Sequence, residues 1–187
     1  MGFKIGTKGQ TVGEARTGGF KPLPNGPIAV SVYEAEVGEY KKGGNAGRNF
    51  LKLQLRVEDG QAGANRRLFH NVPLFLNWAP TEKSPDGADA FGFYQFFAAV
   101  AGVKEKDFRD KVRAAVEAGE DLDVPTPDDL LGKKVIAVLK TVPDTYAFNK
   151  ADENGELEEG ETQDDYLKNE VSNFKPFSGT LPAGTGA

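Results

Sequence analysis

Apolar and polar side chains alternate along three stretches in the first half of the chain, a pattern typical of β-strands with one buried face. The first stretch has Ile28, Val30 and Val32 on one side, after which Tyr33, Ala35 and Val37 continue on the opposite parity. This change predicts a long strand with a β-bulge near Tyr33. The clearest alternation predicts a second strand over residues 49–58, and a third is predicted from residue 66 to about residue 76.

The spacing of apolar residues changes in the middle of the chain. Phe93, Phe96, Phe97 and Val100 have the spacing of one helical face. The pattern predicts a helix that ends at Gly102, a second helix over residues 104–118 and a loop over residues 120–129. Strand alternation returns in residues 133–142 and 168–177, so the predicted order is three strands, helices, and two strands.

Glycine and proline divide the chain into an arm, a domain and a tail. Residues 1–26 lack apolar periodicity and predict a flexible N-terminal arm. A single domain is expected over residues 27–177, with an acidic loop at 150–166, followed by a disordered tail over 178–187.

Composition narrows the function classes. The chain has 187 residues, no cysteine and one histidine, His70, so thiolate metal sites, cysteine nucleophiles and most histidine chemistry are excluded. His70 shares its parity with buried positions, which favours a structural role over catalysis. We expect a protein without enzymatic activity and without a metal or other cofactor. No apolar leader or membrane-length segment stands out, which favours a cytoplasmic protein.

The net charge of -5 conceals a strong asymmetry along the chain. Residues 1–80 hold 11 Lys and Arg against 6 Asp and Glu, whereas residues 81–187 hold 12 against 22. A chain with one basic region can bind nucleic acid although its overall charge is negative.

Five short strands with helices between the third and fourth can close into a small barrel. In this order the chain resembles the OB-fold, and in particular the phage-encoded single-stranded-DNA-binding proteins. The similarity lies in residues 26–30, 48–57, 69–74 and 173–176. This resemblance implies a groove that binds single-stranded DNA. The second and third β-strands form the groove together with two loops. A role in phage DNA replication, recombination or repair in the host cytoplasm follows from the same resemblance.

The groove residues combine aromatic rings for base stacking with cations for phosphate. The candidate nucleic-acid-binding residues are Lys41, Lys42, Arg48, Phe50, Lys52, Arg56, Arg67, Phe69, Trp78, Lys134, Lys140, Tyr146 and Phe148. Structural roles without nucleic-acid binding remain open for these residues. The two strands can present an ordinary solvated face, the hairpin near Lys41 can be a plain turn, Trp78 can belong to the core, and Tyr146 and Phe148 can pack back on the barrel.

The acidic residues 152–165 have two interpretations. They can form a solvated loop, or they can contact replication or recombination proteins in place of the acidic C-terminal tip that bacterial single-stranded-DNA-binding proteins carry. The alternative function is a structural or protein-interaction barrel, such as a phage accessory protein, that binds no nucleic acid. A metal-dependent nuclease is a third, weaker hypothesis.

Overall fold

The structure is a computed structural model, and it describes residues 21–182. The described chain forms two compact units. The larger comprises residues 22–142 and 169–182, and the smaller comprises residues 143–168 together with Lys21.

Seven strands and four α-helices make up the described chain. The strands are β1 (Gly26–Glu39), β2 (Asn49–Val57), β3 (Arg67–Pro73), β4 (Asn77–Trp78), β5 (Ala88–Asp89), β6 (Lys134–Pro143) and β7 (Leu167–Pro176). The helices are α1 (Phe91–Ala101), α2 (Glu105–Ala118), α3 (Pro127–Leu130) and α4 (Thr145–Asn154), and a 3₁₀ turn covers Gln163–Asp165.

The main sheet has five strands in the order β3-β2-β1-β6-β7. Strand β1 pairs antiparallel with both β2 and β6, and β2 pairs antiparallel with β3. The mainly β class with inserted helices is therefore confirmed. The predicted closed barrel is not observed: β3 and β7 are the two edges of an open sheet. Closure requires a pairing between strands far apart in the chain, which alternation within each strand does not specify.

One apolar core lies between the inner face of the sheet and the first two helices. The inward side chains of β2, Leu51, Leu53, Leu55 and Val57, are all buried. They share the core with Phe96 and Phe97 of α1 and with Phe108 of α2. Both helices end where the sequence predicts, because Gly102 and Gly119 adopt the left-handed conformation that terminates a helix. The aromatic cluster of α1 is thus committed to the core.

The predicted bulge in β1 is present. The register with β2 shifts between Val32 and Glu34, which leaves Tyr33 as the extra residue. Val32 is buried and Ala35 is half-buried on the core side, but Tyr33 is 41% exposed and faces away from the core. The expectation that Tyr33 starts the new apolar parity is therefore wrong by one residue, because the bulge itself points outward.

Three short elements differ from the sequence prediction. The region predicted as a loop before β6 contains α3, in which Thr126 and Asp129 form a reciprocal capping box. Residues after β3 form the small β4–β5 hairpin. In the smaller unit, α4 replaces the beginning of the predicted acidic loop; the Asp144 side chain accepts a hydrogen bond from the Ala147 N–H at its start. The sequence analysis did not predict this helix, because acidic composition was interpreted as a loop.

The predicted arm and tail lie largely outside the described residues, which begin at residue 21 and end at residue 182. Within them, Leu23 is buried in the core, and its backbone exchanges two hydrogen bonds with the Asn169 side chain, at 2.6 and 2.9 Å. The Asn25 side chain accepts a hydrogen bond from the Thr141 N–H at 2.6 Å. Residues 23–25 are therefore anchored to the larger unit.

Candidate nucleic-acid interface

The outward side chains of β1, β2 and β3 form one surface, which we call the strand face. Its members are Tyr33, Glu34, Glu36, Phe50, Lys52, Gln54, Arg56, Arg67 and Phe69. Directly opposed residues in antiparallel strands point to the same side of a sheet. The register opposes Arg56 with Arg67 and Gln54 with Phe69, so these side chains lie beside one another across the two strands.

Phe69 lies on the edge strand β3, midway along the strand face, and is 67% exposed. Gln54 lies opposite it, and Glu34 lies opposite Gln54 on the next strand. The Arg67 Nη1 donates a hydrogen bond to Gln54 Oε1 at 2.8 Å, and Gln54 Nε2 donates to Glu34. A large apolar ring is thus held in water beside a cross-strand network of polar groups. This arrangement leaves the ring face free for stacking.

Tyr33 lies at one end of the strand face beneath two arginines. The guanidinium carbon of Arg67 is 4.3 Å from the Tyr33 ring centroid, and that of Arg56 is 5.7 Å away. These are cation–π contacts, which hold the cationic groups over a half-exposed ring. This end of the face therefore combines positive charge with an aromatic surface.

Phe50 lies at the other end, where β1 and β2 join. Its ring covers Gly38, its opposed residue on β1, so closely that a Cβ on Gly38 would lie 2.6 Å from a ring carbon. The ring centroid is also 4.8 Å from that of Tyr40. Phe50 is consequently half-buried and packed, and it offers less free ring surface than Phe69.

Trp78 belongs to an aromatic cluster next to Phe50. Its ring centroid is 4.8 Å from Phe75 and 6.1 Å from Tyr40, and it is partly buried. The Arg48 guanidinium carbon lies 3.7 Å above the Phe75 ring. Trp78 is therefore part of a packed surface cluster. This position lies between the two predictions from the sequence, a core residue and a nucleic-acid-binding residue.

The strand face is less basic than the sequence predicts. Glu34 and Glu36 lie on it, and Glu36 forms an ion pair with Lys52 at 3.7 Å. The three cations of the face, Lys52, Arg56 and Arg67, are thus largely balanced by two carboxylates. A phosphate chain bound at this surface would need cations that lie outside this central region.

The loop between β1 and β2 supplies two such cations. Lys41 and Lys42 are both exposed, and Lys41 lies 3.4 Å from Glu39 in a solvent-exposed ion pair. Exposed pairs of this kind stabilise a fold little, so they exchange readily for another anion.

Lys134 and Lys140 of β6 are separated by six residues, about 20 Å of strand. Lys134 opposes Ser31, which in turn opposes Arg56, so it shares a row with the basic end of the strand face. Its Nζ donates to the Glu58 carboxylate. Lys140 instead pairs with Glu170 of β7 at 3.5 Å. The structure therefore does not bring these two lysines to one site.

Glu58 has a lowered pKa. Burial opposes its ionisation, but hydrogen bonds from Lys134 and Ser31 and the charges of Lys134 and Arg56 outweigh that effect. At neutral pH the carboxylate is ionised and holds Lys134. Because the Lys134 ammonium group already donates to the Glu58 carboxylate, a structural role is favoured for Lys134.

Neither a protein-family model nor a curated protein matches this chain. The assignment of a function therefore depends on the chemistry of the strand face.

Two further findings bear on the alternatives. Among residues 21–182, no group of three or more His, Asp or Glu side chains is arranged to hold a metal ion. Over the same residues, no helix is both long enough and apolar enough to cross a membrane.

Tyr146 and Phe148 lie on α4 in the smaller unit, and not in an extended loop as expected. Tyr146 is exposed. The Phe148 ring packs edge-on against Tyr166, with centroids 5.6 Å apart, so Phe148 has a partner inside its own unit.

Sequence analysis missed several residues of the strand face. The candidate residues predicted from the sequence do not include Gln54, Glu34 or Glu36. Tyr33 was assigned to the wrong side of β1. The parity change around Tyr33 was the available signal, because it fixes which residues of β1 share a face with Lys52.

Proposed function

We propose that this chain binds single-stranded DNA through the strand face, without catalysing a reaction, and acts in DNA replication, recombination or repair. The exposure of Phe69 carries the proposal. The Phe69 ring is 67% exposed and contributes little to the core, and it lies beside the polar network of Arg67, Gln54 and Glu34. Stacking of a base on that ring gives it a use, and stacking is tolerant of sequence.

The sheet supports an OB-like interpretation of this function. OB-folds are five-stranded, partly open barrels that bind oligonucleotides on the face of the second and third strands. The strand face occupies β2 and β3 together with β1. The His70 ring of β3 and the Phe174 ring of β7 lie 5.3 Å apart, so side chains span the gap between the sheet edges. The resemblance to phage-encoded single-stranded-DNA-binding proteins agrees with this interpretation.

Fluorescence anisotropy with labelled mixed-sequence single strands tests the proposal. We expect binding at low salt that weakens steeply as salt rises, because each neutralised phosphate releases counterions. Phe69→Ala should weaken binding by about 5- to 150-fold, which corresponds to the loss of roughly 1–3 kcal/mol of stacking. Phe91→Ala is the matched control, since it removes another exposed phenylalanine, 55% exposed, from α1.

The absence of binding at micromolar protein and low salt contradicts the proposal. Equal losses for Phe69→Ala and Phe91→Ala also contradict it, because they indicate a general effect of removing a surface ring.

A protein-binding function without nucleic acid is the second candidate. The observation that favours it is the pair of carboxylates, Glu34 and Glu36, in the centre of the strand face. Mixed charge around an exposed aromatic ring also suits a protein partner. Failure to bind DNA together with normal folding would support this second function.

A further inference from the structure

We propose that the strand face discriminates between bases, and that Glu34 and Gln54 favour bases carrying an exocyclic amino group over thymine. This inference rests on the proposed function and specifies its substrate. It predicts that strands of deoxycytidine bind more tightly than strands of thymidine, although both are pyrimidines of similar size.

The first step concerns position. Gln54 is directly opposed to Phe69, and Glu34 is directly opposed to Gln54. Opposed side chains in antiparallel strands have Cβ atoms about 5 Å apart. A base stacked on Phe69 therefore has its edge within reach of the amide and carboxylate groups beside it. A shallow depression of about 40 Å³, bounded by these three residues together with Glu36, Lys52 and Leu53, lies at this point.

The second step concerns hydrogen-bond polarity. Arg67 donates to the Gln54 carbonyl oxygen, which fixes the Gln54 amide so that its NH₂ group donates to Glu34. One Gln54 donor occupies only part of the capacity of a carboxylate, which has about four acceptor sites. Glu34 therefore retains free acceptor sites beside Phe69, and the second N–H of the Gln54 amide remains available as a donor.

The third step concerns the bases. In a single strand the Watson–Crick edges are free for hydrogen bonding. Cytosine carries its N4 amino group where thymine carries the O4 carbonyl oxygen. The amino group can donate to Glu34, whereas in the same stacked position thymine presents O4 to the carboxylate and must shift along its edge to donate from N3–H. The geometry that stacks either pyrimidine therefore pairs cytosine directly and pairs thymine only after this shift.

The fourth step concerns the backbone. Glu34 and Glu36 largely offset the charge of the cations around them, so this part of the strand face attracts phosphate weakly and is left for bases. Phosphates are left to the cations at the two ends, where Arg56 is exposed at one end and Lys42 at the other. This orientation, with bases inward, is the one that base recognition requires.

Anisotropy titrations with labelled 12-residue oligo(dC) and oligo(dT), at pH 7.5 and one salt concentration, test the inference. The wild-type protein should bind oligo(dC) at least about fivefold more tightly, the lower end of what a good side-chain contact to a base provides. Glu34→Gln should reduce this preference to less than about twofold. Glu170→Gln is the matched control, because it makes the same charge change at an exposed glutamate of β7 and should preserve the preference.

A change on the DNA side provides a test that does not depend on protein variants. An oligomer of N4,N4-dimethyl-deoxycytidine keeps the stacking ring but has no amino hydrogen to donate, so its affinity should fall to that of oligo(dT). Equal wild-type affinity for oligo(dC) and oligo(dT), or a preference for oligo(dT), overturns the inference and leaves DNA binding standing. Failure of both oligomers to bind contradicts the proposed function itself.

Discussion

Replacing Lys134 by methionine separates a structural role from a DNA contact. Methionine keeps most of the aliphatic stem but removes the ammonium group that donates to Glu58. The Glu58 side chain is only 15% exposed, so its carboxylate loses a charged partner that water replaces incompletely. A hydrogen bond to a charged group contributes about 1.5–3 kcal/mol. Because the Lys134 side chain is 47% exposed, solvent screening reduces the expected loss to about 1–2 kcal/mol.

Urea unfolding followed by Trp78 fluorescence measures this loss. The effect should also depend on pH in a defined direction. The lowered pKa of Glu58 gives the wild-type protein stability that is complete above the ordinary carboxyl value of about 4.5 and disappears as pH falls through the folded-state pKa. The difference between the wild-type protein and Lys134→Met should therefore be largest near pH 7 and should shrink in acid.

Lys140→Met is the matched control, since it breaks an exposed pair at 3.5 Å and should cost less than about 0.5 kcal/mol. Affinity for single-stranded DNA should change less than about twofold in Lys134→Met, because its ammonium group already has an anionic partner. Equal stability of the two variants refutes the assignment of Lys134 to the fold. A tenfold loss of DNA affinity at unchanged stability would make Lys134 a DNA contact.

Two further predictions concern the fold. Burial lowers the pKa of His70, with Glu170 opposing the shift, so the protein should lose stability as pH falls below about 6.5, by at most about 1.4 kcal/mol per pH unit. Thermal unfolding from pH 7.5 to 5.5 measures this loss. The same dependence of stability on pH in His70→Gln would contradict the prediction. Phe96→Ala should reduce the free energy of unfolding in urea titrations by about 3–5 kcal/mol, because the ring is fully buried. The control Val116→Ala, on the exposed side of α2, should change it by less than about 0.5 kcal/mol. Similar values for both variants would contradict the assignment of Phe96 to the core.

Local patterns in the sequence were sufficient for most elements of the larger unit. The alternation in β2 predicted both its length and its buried side, because one face of that strand packs on the core along its whole length. Glycines marked the ends of α1 and α2, since only a left-handed residue terminates a helix in this way. By contrast, α4 was hidden by its acidic, weakly apolar sequence, which resembles that of a solvated loop.

The strand face was only partly predictable, because it depends on pairings between strands. The sequence identified Phe69 and Arg67 as neighbours of β2 side chains, which needs only the parity of each strand. Placing Glu34 and Glu36 beside Lys52 requires the register between β1 and β2, and that register depends on the exact position of the bulge. Whether β3 and β7 meet depends on sheet curvature, a property of the assembled strands.

The extra residue in β1 has a consequence for how this protein tolerates changes in chain length. Deleting Tyr33 would leave Val32 directed into the core and Glu34 directed outward, because the bulge places Tyr33 and Glu34 on the same side of β1. The pairs Val32–Leu55 and Glu34–Gln54 would then follow each other without a register shift. Loss of this one residue would remove the two arginine contacts of Tyr33 without changing which side chains of β1 face the core, so the strand tolerates a shorter chain at the bulge.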